Sequence, residues 1–282
     1  MGIAHRDETG EAPTLYHAVG DRIDGEYAFL DSIESGLADA GRVSMYSPFV
    51  VWKDAETAVM YYCHISRDPA TGDEAHTMRV LESTDVGLER WTPSRIGAID
   101  EGNVVFAEPT ARDVAMLWDP ELGQFLMYYV VTPDGSLEPG RSDERANVVR
   151  LRLSADLTAW SEPVDVLSTP PGYHAAESIF VLKKDGLYYL WVCGFDYGLM
   201  SLYISEDPAD FGDPSENRIA EQSGHGPEIA LVDGTYWMAC VAIASTPGNP
   251  PASGIDLPGV SIQPLIWEPA GPEVEKKVTR HV

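Results

Sequence analysis

The stretch Ala176-Glu177-Ser178-Ile179-Phe180-Val181-Leu182-Lys183-Lys184-Asp185-Gly186-Leu187-Tyr188-Tyr189-Leu190-Trp191-Val192-Cys193 decides the fold. Two runs of aliphatic, β-branched and aromatic residues flank Lys184-Asp185-Gly186, and Asp-Gly between such runs is a strong short-range signal for a tight hairpin. The pattern predicts a strand, a turn and a returning strand, with the carboxylate of Glu177 at the head of the first.

The same grammar recurs on both sides of this hairpin. Upstream, Ser47 to Trp52 reads as a strand, Lys53 to Thr57 as a turn, Ala58 to Cys63 as the returning strand and His76 to Ser83 as a third. Asp113 to Trp118, the turn Asp119 to Gly123, and Gln124 to Val130 repeat it, with Ala146 to Ser154 as outer strand after a long charged loop, Thr132 to Arg145. Loops of that length often rim a site. Leu199 to Asp207 is the outer strand of the opening hairpin. Downstream, His225 to Val232, Asp233-Gly234 and Thr235 to Val241 form a fourth copy, and Gly259 to Trp267 follows a Pro/Gly loop, Thr246 to Pro258.

Strand heads at Ser47, Asp113, Glu177 and His225 recur at roughly 65, 65 and 50 residues, a spacing that points to propeller blades. Residues 45–267 carry four clear blades, residues 1–42 supply a degenerate fifth, and 270–282 read as a frayed tail. The expectation is a single all-β domain, a five-bladed β-propeller. A β-sandwich would not explain why an aromatic pair recurs in each second strand, at Tyr61-Tyr62, Tyr128-Tyr129, Tyr188-Tyr189 and Tyr236-Trp237. Alignment on turns and aromatic pairs makes Trp52 equivalent to Trp118 and Gly186 to Gly234. It also equates Ser47, Asp113, Glu177 and His225. First strands line a propeller's channel, so these four polar heads are expected to converge at one mouth.

Composition narrows the function classes. A chain of 282 residues at 44% hydrophobic is long enough for a sizeable core without staples. Its three cysteines, Cys63, Cys193 and Cys240, fall in apolar runs and read as buried free thiols. Nineteen basic against 45 acidic side chains give a net charge of -26, which repels nucleic acid and anionic membrane surfaces. The start lacks a basic segment followed by an apolar one, and no run is long enough to span a bilayer, which sets the expectation of a cytoplasmic protein with a small-molecule substrate.

Two carboxylates and an imidazole at one mouth make a useful chemical set. A carboxyl in a drier setting holds its proton and acts as general acid, while an ionised neighbour stabilises positive charge. Glycoside cleavage through an oxocarbenium-like transition state uses that division. His225 lies between two glycines, either for close backbone approach to a ligand or as an ordinary loop histidine. No His-Glu-x-x-His, Gly-x-Ser-x-Gly, phosphate-loop or dinucleotide signature is present.

The hairpin from Ala176 to Tyr189, the triplet Ala111-Arg112-Asp113 and the run Ser223-Gly224-His225-Gly226-Pro227 resemble the five-bladed propellers of glycoside hydrolase families 43 and 32, over roughly residues 45–267. The resemblance implies that Asp113 orients the sugar and stabilises the transition state, with Arg112 as its partner, and that Glu177 is the catalytic acid. It further implies an axial calcium or other structural ion near His225, with no cofactor required. Tyr46, Tyr173 and Phe195 become candidates for a sugar-stacking platform, and Ser47, His174 and Glu228 join Arg112 and His225 as candidate substrate-binding residues. One position departs from the pattern: those families carry Asp-Pro where this chain has Ser47-Pro48. A serine hydroxyl cannot take a proton from water near neutral pH. Either a carboxylate from the amino-terminal segment, Asp24 or Asp31, substitutes, or the substrate supplies its own nucleophile, or the chemistry is not hydrolysis. The reading is a glycosidase-like enzyme for a small, carbohydrate-like substrate. Its alternatives are a scaffold redirected to elimination, cyclisation or rearrangement, and a non-catalytic sugar-binding module.

Overall fold

The computed structural model describes residues 2–4, 14–34, 43–67, 70–71, 74–85, 87–99, 104–106, 108, 110–132, 147–169, 176–194, 199–241, 260–267 and 278–279. The opening hairpin forms as its residue types require. Asp185 and Gly186 take φ of 53° and 78°, and Asp233 and Gly234 repeat this at 48° and 78°. Two successive left-handed residues make the turn whose twist matches that of the flanking strands, and Asp-Gly adopts it readily.

Five antiparallel sheets are arranged as a five-bladed β-propeller. The first blade runs outward from Val43–Trp52 through Ala58–Arg67 and Glu74–Ser83, on which Thr92–Pro93 and Val104–Phe106 both pair. In the second blade Arg112–Asp119, Gln124–Val131, Asn147–Ser154 and Val164–Thr169 follow in order, and in the third Glu177–Lys184, Leu187–Cys193, Leu199–Ser205 and Arg218–Ser223. His225–Val232, Thr235–Val241 and Val260–Pro264 form the fourth, and Gly2–Ala4, Thr14–Val19 and Ala28–Glu34 the remaining sheet. The fourth strands Thr92–Pro93, Val164–Thr169 and Arg218–Ser223 were not legible in the sequence, being short or rich in polar residues. A two-stranded pair, Ile266–Trp267 with Val278–Thr279, takes up the described part of the tail. The loops Thr132 to Arg145 and Thr246 to Pro258 lie, apart from Thr132 itself, outside the described residues.

The core lies between blades. One buried cluster joins the amino-terminal sheet to the first blade through Leu15, Ile33, Met45 and Tyr62, and others join first to second, second to third and third to fourth. Strand alternation explains the aromatic pairs, because successive side chains enter opposite faces. Tyr128 packs toward the third blade and Tyr129 toward the first, while Tyr61 and Tyr62 divide likewise between the second blade and the amino-terminal sheet. Each buried ring removes about 150–250 Å² from water, so the pairs knit neighbouring blades.

The pairs do not mark one register, however. Tyr61 and Tyr128 lie opposite Phe49 and Ala115, and the residue in their place on the third blade is Trp191, opposite Phe180. Tyr188 and Tyr236 instead sit opposite Lys183 and Leu231, nearer the turns. The expected equivalence of Trp52 with Trp118 and of Gly186 with Gly234 holds in the ladder pairing.

The three cysteines are buried free thiols. At the turn end of the second blade, fully buried Asp119 accepts hydrogen bonds from the Lys183 ammonium at 2.8 Å, the Tyr188 hydroxyl and the Glu121 and Leu122 amides. Burial works against its charge, but those four donors outweigh it and hold its carboxyl down at about 2. A depressed native pKa contributes stability above the unfolded value, near 3.9, that is lost as pH falls through the native one. Urea unfolding is expected to show the advantage of wild type over Asp119→Asn shrinking by about 2 kcal/mol between pH 5 and pH 2.

Candidate active site

The heads of four inner strands share one irregularity. Pairing slips between Tyr46 and Phe49, between Arg112 and Ala115, between Glu177 and Phe180, and between His225 and Glu228, each time with two residues facing one. The first residue inside each bulge is left-handed: Ser47 at φ 49°, Asp113 at 54°, Ser178 at 45° and Gly226 at 60°. Bulges re-aim side chains by breaking strict alternation. Two rings of equivalent positions follow. Tyr46, Arg112, Glu177 and His225 make one, and Ser47, Asp113, Ser178 and Gly226 the other. The equivalence expected from sequence is thereby corrected: Glu177 and His225 stand one residue ahead of Ser47 and Asp113, because the bulge and not the aromatic pair sets the register.

The rings are joined across blades. The Ser47 hydroxyl of the first blade donates to Asp113 Oδ1 at 2.5 Å. On the other side the Ser178 amide of the third blade donates to Asp113 Oδ2 at 3.1 Å. His225 Nε2 of the fourth blade lies 3.1 Å from Ser178 Oγ and 3.3 Å from Glu177 Oε1. Asp113, Glu177 and His225 are each only 8% exposed. A carboxylate that accepts from both neighbours is held in one orientation, and the low local dielectric strengthens whatever charge it carries toward a ligand.

Arg112 is built into the wall. Its Nη1 donates to the Thr110 carbonyl at 3.3 Å and Thr132 Oγ1 at 3.2 Å. Its Nη2 donates to Asn147 Oδ1 at 3.0 Å and to the Ala176 carbonyl at 3.2 Å, and its Nε lies 3.6 Å from Asp113 Oδ2. Protein groups therefore engage the whole guanidinium, and it ties the second blade to the residue directly before Glu177.

The glycines around His225 serve the backbone. A side chain on Gly224 would meet Cys240 Sγ and Met200 Cε at 3.1 Å, so the chain approaches the third blade and its own returning strand there. Gly226 has open space about it but needs its left-handed φ for the bulge. Its amide donates to Cys193 Sγ at 3.3 Å, and Cys193 in turn donates to the Ser178 carbonyl at 3.3 Å. Burial pushes the Cys193 thiol up, so it serves here as a packed polar contact.

Tyr46 is half-buried, its ring tilted against His76 at 6.5 Å between centroids. Glu228 occupies the register position of Phe49, Ala115 and Phe180, below the mouth. It meets solvent, yet surrounding protein desolvates it and pushes its carboxyl up to about 8. Tyr173, His174 and Phe195 lie outside the described residues, as does the side chain of Asp31. Asp24 sits on an exposed turn paired with Arg22 at 2.8 Å and does not contact Ser47. Among the described residues no group of three or more His, Cys, Asp or Glu is placed to hold a metal ion.

Sequence reasoning missed Ser178, Thr132 and Asn147. Ser178 was findable, since Ser47 and Ser178 each begin a bulge ahead of an apolar run. Thr132 and Asn147 had no such signal: they face each other across paired strands, with Thr132 Oγ1 donating to Asn147 Oδ1 at 3.0 Å, and their joint contact with Arg112 is tertiary.

No family model and no curated protein sequence matches this chain. Solved structures do. The chain is similar to a GH43_1 enzyme from Xanthomonas citri complexed with xylose, at 13% identity over 98% of this chain and 85% of that one, with a TM-score of 0.67. It is similar also to a family 43 β-xylosidase/α-arabinofuranosidase from a compost microbial metagenome, in complex with xylotriose and in calcium-free form, at 14% identity over 98% and 87% of the two chains and a TM-score of 0.62. A family 32 β-fructofuranosidase of Bombyx mori matches at 13% identity over 98% of this chain and 58% of that one, with a TM-score of 0.64. This chain thus shares the five-bladed fold of family 43 and family 32 glycoside hydrolases.

Two measurements check this geometry. Arg112→Ala leaves several buried acceptors without their donor and is expected to cost about 3–5 kcal/mol in urea unfolding, with Arg112→Lys recovering only part because an ammonium cannot span the four acceptors. Glu228, neutral in the folded protein below about 8, becomes more costly to bury as pH rises past the unfolded carboxyl value. Wild-type thermal stability is therefore expected to decline between pH 5 and pH 8 relative to Glu228→Gln.

Proposed function

We propose that the protein acts on a small glycoside or sugar-like molecule, with Glu177 as proton donor and Asp113 as stabiliser of positive charge. The observation that carries this is the continuous contact set Ser47, Asp113, Ser178, Glu177 and His225 over four adjacent inner strands. A departing glycosidic oxygen needs a proton from a sheltered acid, and the sugar ring left behind needs a fixed negative group. Glu177 and Asp113 supply these two groups from neighbouring strands. That solved neighbours of this fold were complexed with xylose and xylotriose supports a ligand of sugar size.

Ser47 favours a second reading. Its hydroxyl donates to Asp113 and so presents lone pairs to a ligand hydroxyl, but it cannot activate water. An elimination, cyclisation or rearrangement needs an acid and a charge stabiliser without an activated water, and the same site serves it.

Turnover of a panel of small glycosides with alkyl and dinitrophenyl leaving groups, with product analysis, tests both. Glu177→Gln is expected to lower turnover of alkyl glycosides by about 10²–10⁴-fold and to spare dinitrophenyl glycosides, whose departure needs no proton. Equal activity of Glu177→Gln on alkyl glycosides overturns the acid assignment. Conversion of a glycoside without release of free sugar supports the second reading, and binding with no product overturns both.

A further inference from the structure

Ser178 links the second, third and fourth blades at this site. Its amide donates to Asp113 Oδ2, its carbonyl accepts from Cys193, and its left-handed backbone sets the bulge at which Glu177 stands. That leaves the hydroxyl. Its one side-chain contact is His225 Nε2 at 3.1 Å. A hydroxyl can donate its proton to that nitrogen or accept from an Nε2–H, and the two tautomers place Glu177 in different settings. When that nitrogen accepts from Ser178 it bears no hydrogen, and the imidazole proton resides on Nδ1. Glu177 Oε1 lies 3.3 Å from the same nitrogen. An ionised carboxylate beside a nitrogen lone pair is repelled, whereas a neutral carboxylic acid is not.

We infer that Ser178 is a positioning residue that fixes His225 as a hydrogen-bond acceptor at Nε2 and so sets the proton arrangement in which Glu177 faces the ligand as a neutral acid. This rests on the reading of Glu177 as proton donor, and it explains how that proton is kept without a third carboxylate. The opposite arrangement, Nε2–H pointing at an ionised Glu177, leaves the Ser178 proton to solvent and deprives the site of its acid. The position tolerates a direct test, because glycine accepts φ of 45° more readily than serine and keeps the amide on Asp113.

The experiment is ¹⁵N NMR of the full chain labelled at histidine, at pH 7, with the His225 signals assigned from a His225→Gln variant. In wild type Nε2 is expected to be unprotonated and Nδ1 protonated. Ser178→Gly is expected to move the Nε2 signal toward the protonated position while the melting temperature stays unchanged or rises, and Ser178→Ala is expected to give the same signal. A protonated Nε2 in wild type overturns the inference, as does a His225 spectrum indifferent to both substitutions. No substrate enters this measurement, so it separates from the glycoside panel: a silent panel with the expected spectra strikes the function alone.

Discussion

The site depends on one backbone constraint, the left-handed residue at the head of four inner strands. For serine and aspartate such a conformation costs about 1–2 kcal/mol apiece relative to ordinary strand geometry. It persists at Ser47, Asp113 and Ser178 because the ladders on both sides of each bulge are intact and because the bulged residues bond to one another. Without the bulges, neighbouring residues such as Arg112 and Asp113 would point to opposite faces of the sheet. With them, Arg112 turns into the wall and Asp113 meets the flanking serines.

The second inner strand shows how this local geometry becomes rigid. At its head Arg112 donates to the Ala176 carbonyl, and at its other end Asp119 accepts from Lys183 and Tyr188. Both ties run to the third blade. The strand carrying Asp113 is therefore stapled at both ends to the strand carrying Glu177, with the aromatic and aliphatic cluster around Tyr128, Ile179 and Val181 between the staples. Preorganisation of that kind holds two buried carboxyl groups on neighbouring strands at a constant separation.

Much of the architecture was legible in residue order. Asp-Gly turns, strand-length apolar runs and a repeat near 65 residues led to blades, and the heads Ser47, Asp113, Glu177 and His225 do meet through contacts or through Ser178. The aromatic pair misled, because Tyr188 and Tyr236 sit three residues closer to their turns than the register of Tyr61 and Tyr128 requires. Alternation makes any strand attractive to aromatic residues on both faces, so a pair of rings marks burial and not position. Arg112 beside Asp113 suggested a partner for that carboxylate, and nothing local indicated that Thr132, Asn147 and the Ala176 carbonyl would take up the rest of its guanidinium.

The sequence by itself determined the elements: which runs become strands, where Asp-Gly and longer turns reverse them, and how many blades repeat. Those are properties of neighbouring residues, governed by φ preferences and by alternation of apolar side chains. The tertiary structure alone decided that Ser47 meets Asp113, that Asp113 is held from its other side by Ser178, and that Ser178 and Glu177 share one nitrogen of His225. These partners are 47 to 66 residues apart in the chain. They come together because inter-blade packing closes the sheets around an axis, and hydrogen bonds reach only the few ångströms that such packing fixes.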